Sequence, residues 1–313
     1  METRSAGDVA VSRPTSKRRG TDKARAEARL GWYLAGPAFV ILVAVTGYPI
    51  LQALYESLFS YRLTAPADRE FVGLKNYGVI LTDSLWWGAL GNTALITVVT
   101  VAVELVIGFA LAMVMHKVLG WLRPIVRTAI LIPYAIITVV SAYAWQYAFG
   151  LTTGFMNSLL GLGDFDWFAN KWSALFVICL SEIWKTTPFI SLLLLAGLAQ
   201  VPADMTEAAK VDGATAWERL WKVTLPNMKA SIMVALLFRA LDAFRIFDNV
   251  YIMTNGAADT QTVSSLAYNQ TISRLEIGLG SAVSVLLFVC VLLICFIAIK
   301  VFKVDLARAR GEG

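Results

Sequence analysis

The segment EAAKVDGATAWERLWKVTLP, residues 207–226, is a polar stretch that lies between two long apolar runs. Pro202 and Asp204, just before it, suit the start of a helix, and residues 205–211 continue with helical character. Asp212 and Gly213 form a turn signal. The sequence therefore predicts two short helices around a turn, placed in water between two membrane spans, where they offer a docking surface.

The second of these helices is expected to begin at Thr215. Its hydroxyl can cap free backbone donors while Glu218 reaches back, which is the pattern of a capping box. Trp217, Leu220 and Trp221 are three and four residues apart and so share one face. That face either fills a groove on a partner or packs under the adjacent spans, and the sequence favours neither.

The composition is that of a membrane protein. Hydrophobic residues make up 58% of the chain, charged residues 16%, and the mean hydropathy is +0.65. A membrane helix needs roughly 20 apolar residues to cross about 30 Å of hydrocarbon. We predict an all-α, polytopic protein whose transmembrane domain covers residues 32–304, with six transmembrane helices near residues 33–59, 89–115, 125–149, 173–199, 229–253 and 278–303.

The distribution of Lys and Arg predicts the orientation. Nineteen of the 27 flank one side of the predicted spans and five flank the other, and short loops rich in these residues stay in the cytoplasm. Both termini and the loop near residues 201–227 are therefore expected to be cytoplasmic, in a multi-pass protein of the cell membrane. Residues 1–31 are expected to be a disordered basic tail, either solvated or lying on anionic lipid, and residues 305–313 a second cytoplasmic tail.

The residue inventory does not assemble a catalytic or metal site. The chain has one histidine, its three cysteines fall inside predicted spans, and the G-x-x-x-x-G-K-[ST] phosphate loop is absent. Its basic residues are scattered and do not form a stripe with interleaved aromatics, which argues against nucleic-acid binding. We expect no catalytic residue, metal or bound cofactor, so any work against a gradient would need energy from a partner.

The 207–226 segment resembles the EAA loop of ABC importer permeases, which docks into the ATPase subunit. The resemblance rests on the order Glu-Ala-Ala, then Gly213, then Leu-Pro, and it implies that ATPase coupling falls on Glu207, Ala208, Ala209, Asp212, Gly213, Ala214, Leu225 and Pro226. The likeness to the carbohydrate branch of that family rests on four further groups of residues: Phe71, Val72, Gly73, Leu74, Asn76 and Tyr77; Gly154, Asn157, Leu160 and Gly163; Trp184, Lys185, Thr187, Pro188 and Phe189; and Phe247, Asp248, Tyr251, Met253, Thr254 and Gly256. Many members have a second proline where this chain has Lys229 and Ala230, so the entry into the fifth span is expected to be less kinked.

The resemblance covers nearly the whole chain beyond the tail. It implies a type I ABC importer permease fold, pairing with a second homologous permease, and two ATPase subunits that carry ATP and Mg. An extracytoplasmic sugar-binding lipoprotein would deliver the substrate. The run from Ala240 to Thr254 resembles permeases of actinobacterial trehalose importers, which implies trehalose as substrate. Another di- or monosaccharide, or a glycerol phosphodiester, remains an alternative.

Several ionisable residues lie at predicted membrane depth, where each costs several kcal/mol unless it pairs or faces water. We predict pairs three residues apart along the helices: Glu182 with Lys185, Arg239 with Asp242, and Asp242 with Arg245. Glu104 has no such neighbour and is expected to pair across helices. The candidate substrate path comprises Glu182, Trp184, Lys185, Arg239, Asp242, Phe244, Arg245, Asp248 and Asn249.

Two interpretations of these residues remain open. The polar groups either bind sugar hydroxyls, with aromatic rings such as Tyr251 covering apolar sugar faces, or they join the helices to one another. A different class of function, an ion channel or proton-coupled carrier, would use the same charges as a relay. The loop that resembles an ATPase dock argues against that class, and the missing catalytic set argues against a membrane enzyme.

Overall fold

The computed structural model describes residues 22–302. The predicted tails therefore lie outside the described residues at positions 1–21 and 305–313. Helix α1, Asp22–Glu56, includes the last ten residues of the predicted disordered tail, so residues 22–31 are helical and that part of the prediction is wrong. Residues up to Gln52 form a unit of their own, and in it the helix exposes apolar side chains such as Phe39 and Ile41.

The second unit starts at Ala53 and opens with a short antiparallel hairpin. Its strands are β1, Phe59–Ser60, and β2, Glu70–Phe71, with Phe59 opposite Phe71 and a 3₁₀ turn at Pro66–Asp68 between them. Apart from this hairpin, the regular structure in the described part of the chain is helical. Two helices follow, α2 (Lys75–Thr82) and α3 (Ser84–Lys117), the second capped by the Asp83 carboxylate.

The middle of the chain contains a bent helix pair and a long central helix. Helices α4 (Arg123–Ala135) and α5 (Thr138–Phe149) meet at an angle of 82°, and α6 (Met156–Leu160) leads to α7 (Lys171–Leu198). Pro133 lies two residues before the end of α4, and its carbonyl accepts the Ile136 backbone N–H at 3.3 Å. Pro188 lies inside α7 without breaking it.

Shorter helices make up much of the rest of the chain. They are α8 (Ala203–Val211), α9 (Ala216–Arg219), α10 (Leu225–Asn227), α11 (Lys229–Ala243), α12 (Asp248–Met253), α13 (Val263–Tyr268) and the long α14 (Ile277–Phe302). One-turn π-helical stretches at Leu220–Thr224 and Asn269–Ser273 follow α9 and α13.

The predicted spans agree with the helices in four cases and differ in two. α1, α3, α7 and α14 are each long and apolar enough to cross a membrane, while the predicted span 125–149 is the bent pair α4 and α5. The predicted span 229–253 is broken between α11 and α12 at residues 244–247. Phe244 and Ile246 are buried in the break, and the Ile246 carbonyl accepts a hydrogen bond from the Thr262 hydroxyl at 3.3 Å. The Thr262 hydroxyl thus satisfies one of the backbone acceptors that the break frees.

Helix α7 is the centre of the second unit. It packs along α3, where a Cβ on Gly108 would collide with Ile190, so a small residue is required for the close approach. One apolar cluster includes Ile178 and Val250, and another includes Leu194 and Met228. Packing of α3, α5, α11 and α12 against α7 positions the polar groups described next.

Candidate functional site

Arg239 of α11 lies at the centre of a buried network of charges. Its Nε donates to Glu104 Oε2 of α3 at 2.5 Å, and its Nη2 donates to Glu104 Oε1 at 3.0 Å and to Glu182 Oε1 of α7 at 2.8 Å. Its Nη1 donates to Asp242 Oδ2 at 2.9 Å. The Arg239 and Glu104 side chains are fully buried, while the Asp242 side chain is 63% exposed. One guanidinium therefore ties α3, α7 and α11 together.

Two neutral side chains complete this network. The Thr186 hydroxyl donates to Glu104 Oε1 at 2.8 Å, and Asn249 Nδ2 of α12 donates to Glu182 Oε2 at 2.5 Å. Both carboxylates of the buried core therefore accept from the cation and from a neutral donor. A buried charge is tolerated in a low-dielectric interior when it is paired and hydrogen-bonded in this way.

Two of the four predicted pairings are observed and two are not. Arg239 pairs with Asp242, as predicted, and Glu104 pairs across helices, as predicted. The predicted Glu182–Lys185 pair is wrong because Glu182 turns toward Arg239 instead. The predicted Asp242–Arg245 pair is also wrong: α11 ends at Ala243, and Arg245 Nε donates to the Leu241 carbonyl at 3.2 Å. Spacing along a helix does not predict these contacts once another helix offers a buried partner.

A cavity of about 550 Å³ lies beside the network, between the two helix breaks. Residues 135–138, at the bend between α4 and α5, form one wall, and residues 245–249, at the break between α11 and α12, form another. Tyr134 and Thr186 also line it. Broken helices at membrane depth are tolerated where the freed backbone lines a polar cavity, which is the situation here.

Six of the nine predicted path residues line this cavity: Glu182, Lys185, Asp242, Arg245, Asp248 and Asn249. Arg239 does not line the cavity, but it hydrogen-bonds two residues that do, Glu182 and Asp242. Trp184 packs edge-on against Trp145 with ring centroids 6.0 Å apart, and Phe244 is buried in the helix break. These three residues are not part of the cavity lining in the described structure.

Asn249 lines the cavity, and its amide oxygen is shielded from solvent. The side chain is 1% exposed, and because its Nδ2 is bound to Glu182, its Oδ1 has no hydrogen-bond partner among the described residues. Lys185 is 7% exposed and its Nζ lies 5.5 Å from the centroid of the Tyr134 ring. Amide and ammonium groups around one cavity suit a solute that both donates and accepts hydrogen bonds.

The site contains residues that the sequence did not place in the path. Thr186 lies four residues after Glu182 on a helix that was already singled out, so its position on the same face was a usable signal. Tyr134 follows Pro133 near the end of α4, and the packing of α4 against α7 places its ring on Phe189 with centroids 5.4 Å apart. This contact joins distant segments, so no local signal in the sequence indicates it.

The 207–226 segment folds as the sequence predicts. Pro202 occupies the N-cap position of α8 without a side-chain hydrogen bond, Gly213 has φ of +81°, and Thr215 and Glu218 form the capping box. The Glu218 carboxylate accepts from the Thr215 backbone N–H and hydroxyl, both at 2.9 Å. These bonds, with a smaller contribution from Lys222, hold the pKa of Glu218 below its usual value.

The apolar face of this segment is divided. Trp217 and Trp221 are 66% and 55% exposed and contact each other edge-on, with centroids 5.5 Å apart. Leu220 lines a cavity of about 710 Å³ that lies between the segment and the ends of α3 and α7, and Glu207 lines it too. The two tryptophans leave an exposed apolar patch suited to a partner, while Leu220 packs inward.

Comparison with known proteins identifies the family. Residues 104–304 match the family model of the binding-protein-dependent transport system inner membrane component. The chain is 52% identical to the trehalose transport system permease protein SugA of Mycobacterium tuberculosis, over 90% of this chain and 91% of that protein. It is 36% identical to the trehalose/maltose transport system permease protein MalF of Thermococcus litoralis, over 88% and 94%.

A solved structure shares the fold. The bacterial alginate ABC transporter in complex with an alginate pentasaccharide-bound periplasmic protein superposes with a TM-score of 0.75 at 19% identity, covering 88% of this chain and 94% of the matched one. That likeness confirms the predicted type I importer permease fold. With its apolar helices, the chain is a multi-pass membrane protein and a permease subunit of an ABC importer, and it belongs to the family of binding-protein-dependent transport system inner membrane components.

Proposed function

We propose that this chain is one of two permease subunits of an ATP-driven importer of a neutral disaccharide, with trehalose as the substrate. Two ATPase subunits carrying ATP and Mg would bind the 207–226 segment on the cytoplasmic side, where both termini also lie. A sugar-binding lipoprotein would deliver the substrate from the other side. The identity to a trehalose permease over nine-tenths of both chains supports this choice of sugar.

The cavity between the helix breaks is the proposed sugar path. The single observation that carries this assignment is the position of the cavity, which lies between the two helix breaks and is lined by polar side chains, Asn249 among them. Asn249 Oδ1 is buried and has no hydrogen-bond partner among the described residues. A sugar hydroxyl that reaches it after a small side-chain shift would satisfy an acceptor whose desolvation costs about 1–3 kcal/mol when it is left unpaired. Lys185 would donate to a second hydroxyl of the same sugar.

The charge balance of the wall supports a neutral solute. Three carboxylates, those of Glu182, Asp242 and Asp248, line the cavity together with Lys185 and Arg245, and Arg239, outside the lining, binds Glu182. Opposite charges thus nearly cancel, whereas a permease for an anion would need an excess of cations on the wall. This balance disfavours the glycerol phosphodiester as substrate.

The test is ATP hydrolysis by the complex purified on this chain in lipid, with its binding protein present, against trehalose, maltose and a glycerol phosphodiester. We expect trehalose alone to stimulate hydrolysis. Stimulation by another compound would contradict trehalose as the substrate but not the assignment as an ATP-driven importer. A complex without any ATPase subunit would instead indicate the proton-coupled carrier.

An Asn249 variant tests the path itself. We expect Asn249→Leu, which removes the free acceptor and the bond to Glu182, to lower trehalose transport about tenfold, in keeping with roughly 1–2 kcal/mol for one hydrogen bond. Asn269→Leu serves as the control because Asn269 has helical backbone angles and does not line the cavity. Equal transport by both variants in assembled complexes would exclude Asn249 from the path.

A further inference from the structure

Three basic side chains converge on a groove where α3 ends and α4 begins. His116, Arg123 and Arg127 line a cavity of about 470 Å³ whose opposite wall is the apolar face of α7, including Leu192 and Leu195. We call this cavity the basic groove. It lies away from the proposed sugar path, with which it shares no lining residue.

The basic groove continues into the cavity beneath the 207–226 segment. The two cavities share His116 and Ala199, and the second adds Lys117, Lys210 and Arg219 to the same region. Five permanent cations therefore surround the pair of cavities, which contain a single carboxylate, that of Glu207.

Within residues 29–300, the two arginines of the groove have no acidic partner. No ion pair in that range involves Arg123 or Arg127, and the groove lining contains no carboxylate. They are four residues apart on α4, so they lie on one face, where like charges repel. Arg123 Nε donates to the Val118 carbonyl at 3.1 Å, which anchors the guanidinium and leaves its other N–H groups available.

The predicted orientation places the groove at the depth of lipid headgroups. Arg123 is the first residue of α4, which together with α5 passes as one bent span, so the arginines mark the level at which this span leaves the hydrocarbon. The Leu192 and Leu195 side chains of α7 offer an apolar wall beside them. A ligand with an anionic head and an apolar tail matches both walls, since guanidinium groups bind phosphate oxygens in bidentate geometry.

We propose that the basic groove binds the phosphate of an anionic membrane lipid, with Arg123 and Arg127 as the principal ligands and an acyl chain along α7. The usual preference for cationic loops on one membrane side requires charge but no groove, and isolated lysines satisfy it. Two arginines on one helix face, opposite an apolar wall and without a carboxylate, are a more specific arrangement. This site goes beyond the proposed transport function.

The experiment measures lipid retained by the assembled transporter. Wild type, Arg123→Gln/Arg127→Gln and the control Lys229→Gln/Lys300→Gln are delipidated in detergent and titrated with phosphatidylglycerol, phosphatidylcholine or inorganic phosphate, and bound lipid is counted by native mass spectrometry. The control removes the same charge at two exposed lysines outside both cavities.

We expect wild type to retain phosphatidylglycerol in preference to phosphatidylcholine. The double arginine variant should bind phosphatidylglycerol about 30-fold more weakly, as expected when two cations near an anionic headgroup are lost, and the lysine control should stay within about threefold of wild type. Equal weakening in the control would show diffuse surface charge and overturn the site. Displacement of phosphatidylglycerol by equimolar inorganic phosphate would overturn the lipid as the ligand.

Discussion

Replacing Arg239 by Met is the sharpest test of the buried network. The change removes four hydrogen bonds at once and leaves the carboxylates of Glu104 and Glu182 without their cation, supported only by Thr186 and Asn249. Breaking a buried ion pair by removing one partner costs about 3–5 kcal/mol, because the remaining charge stays buried. We expect Arg239→Met to lower the free energy of unfolding by that amount.

The assay is equilibrium unfolding of the full chain in mixed micelles with increasing SDS. Asp242→Asn is the matched control because it removes a partner of the same guanidinium that is largely exposed, and it should cost less than about 1 kcal/mol. Adding Glu104→Gln and Glu182→Gln to Arg239→Met removes the stranded charges and should recover most of the loss.

Two results would refute the reasoning. If Arg239→Met costs no more than Asp242→Asn, the network does not hold the three helices together. If the triple variant stays as unstable as Arg239→Met, the loss comes from the packing of the long side chain and not from unpaired charge.

Three further outcomes follow from the structure. Gly213→Val places a β-branched residue at φ of +81°, at a cost of roughly 1–2 kcal/mol, and should abolish sugar-stimulated ATP hydrolysis without preventing membrane insertion. The control Gly161→Val is strained in the same way, at φ of +67°, but lies outside the 207–226 segment and should keep this activity. Equal activity of both variants would contradict the coupling role. Because the pKa of Glu218 is lowered in the folded state, its hydrogen bonds stabilise the capping box at pH values above the unfolded-state pKa, and this stabilisation is lost as the pH falls through the folded-state pKa. Amide hydrogen exchange of residues 215–219, corrected for intrinsic rates, should show this loss of protection in wild type. In Glu218→Gln the protection should not change with pH. Gly197→Ala would bring a Cβ within 2.6 Å of Ser231 Cβ and should lower the free energy of unfolding by about 1–3 kcal/mol in the same assay, because it disturbs the α7–α11 contact. If steric overlap is the cause, adding Ser231→Gly should restore the stability.

Local signals in the sequence predicted the 207–226 segment well. Its turn glycine, its capping box and its polar character all act within a few residues, so each can be recognised without knowledge of the fold. The spans α3, α7 and α14 were similarly evident, because a long apolar run is itself the physical requirement for crossing a membrane.

The breaks in the spans were not predictable in this way. Residues 229–253 are apolar enough to suggest one helix, yet Phe244 and Ile246 are buried in a turn that is stabilised by Thr262 from a distant part of the chain. The partners of Glu182 likewise come from other helices. Such contacts depend on tertiary packing, which spacing along one helix does not encode.

The two breaks also divide the protein into parts that can be displaced separately. Residues 136–137 join α4 to α5, and residues 244–247 join α11 to α12. Each of these helices can therefore move as a rigid body, with changes in only a few backbone torsions of the connecting residues. α3 and α7 are continuous and pack closely along each other. A displacement of the 207–226 segment would therefore reach α11 first and be absorbed beside the cavity, changing the width of the polar passage without dismantling the helical core.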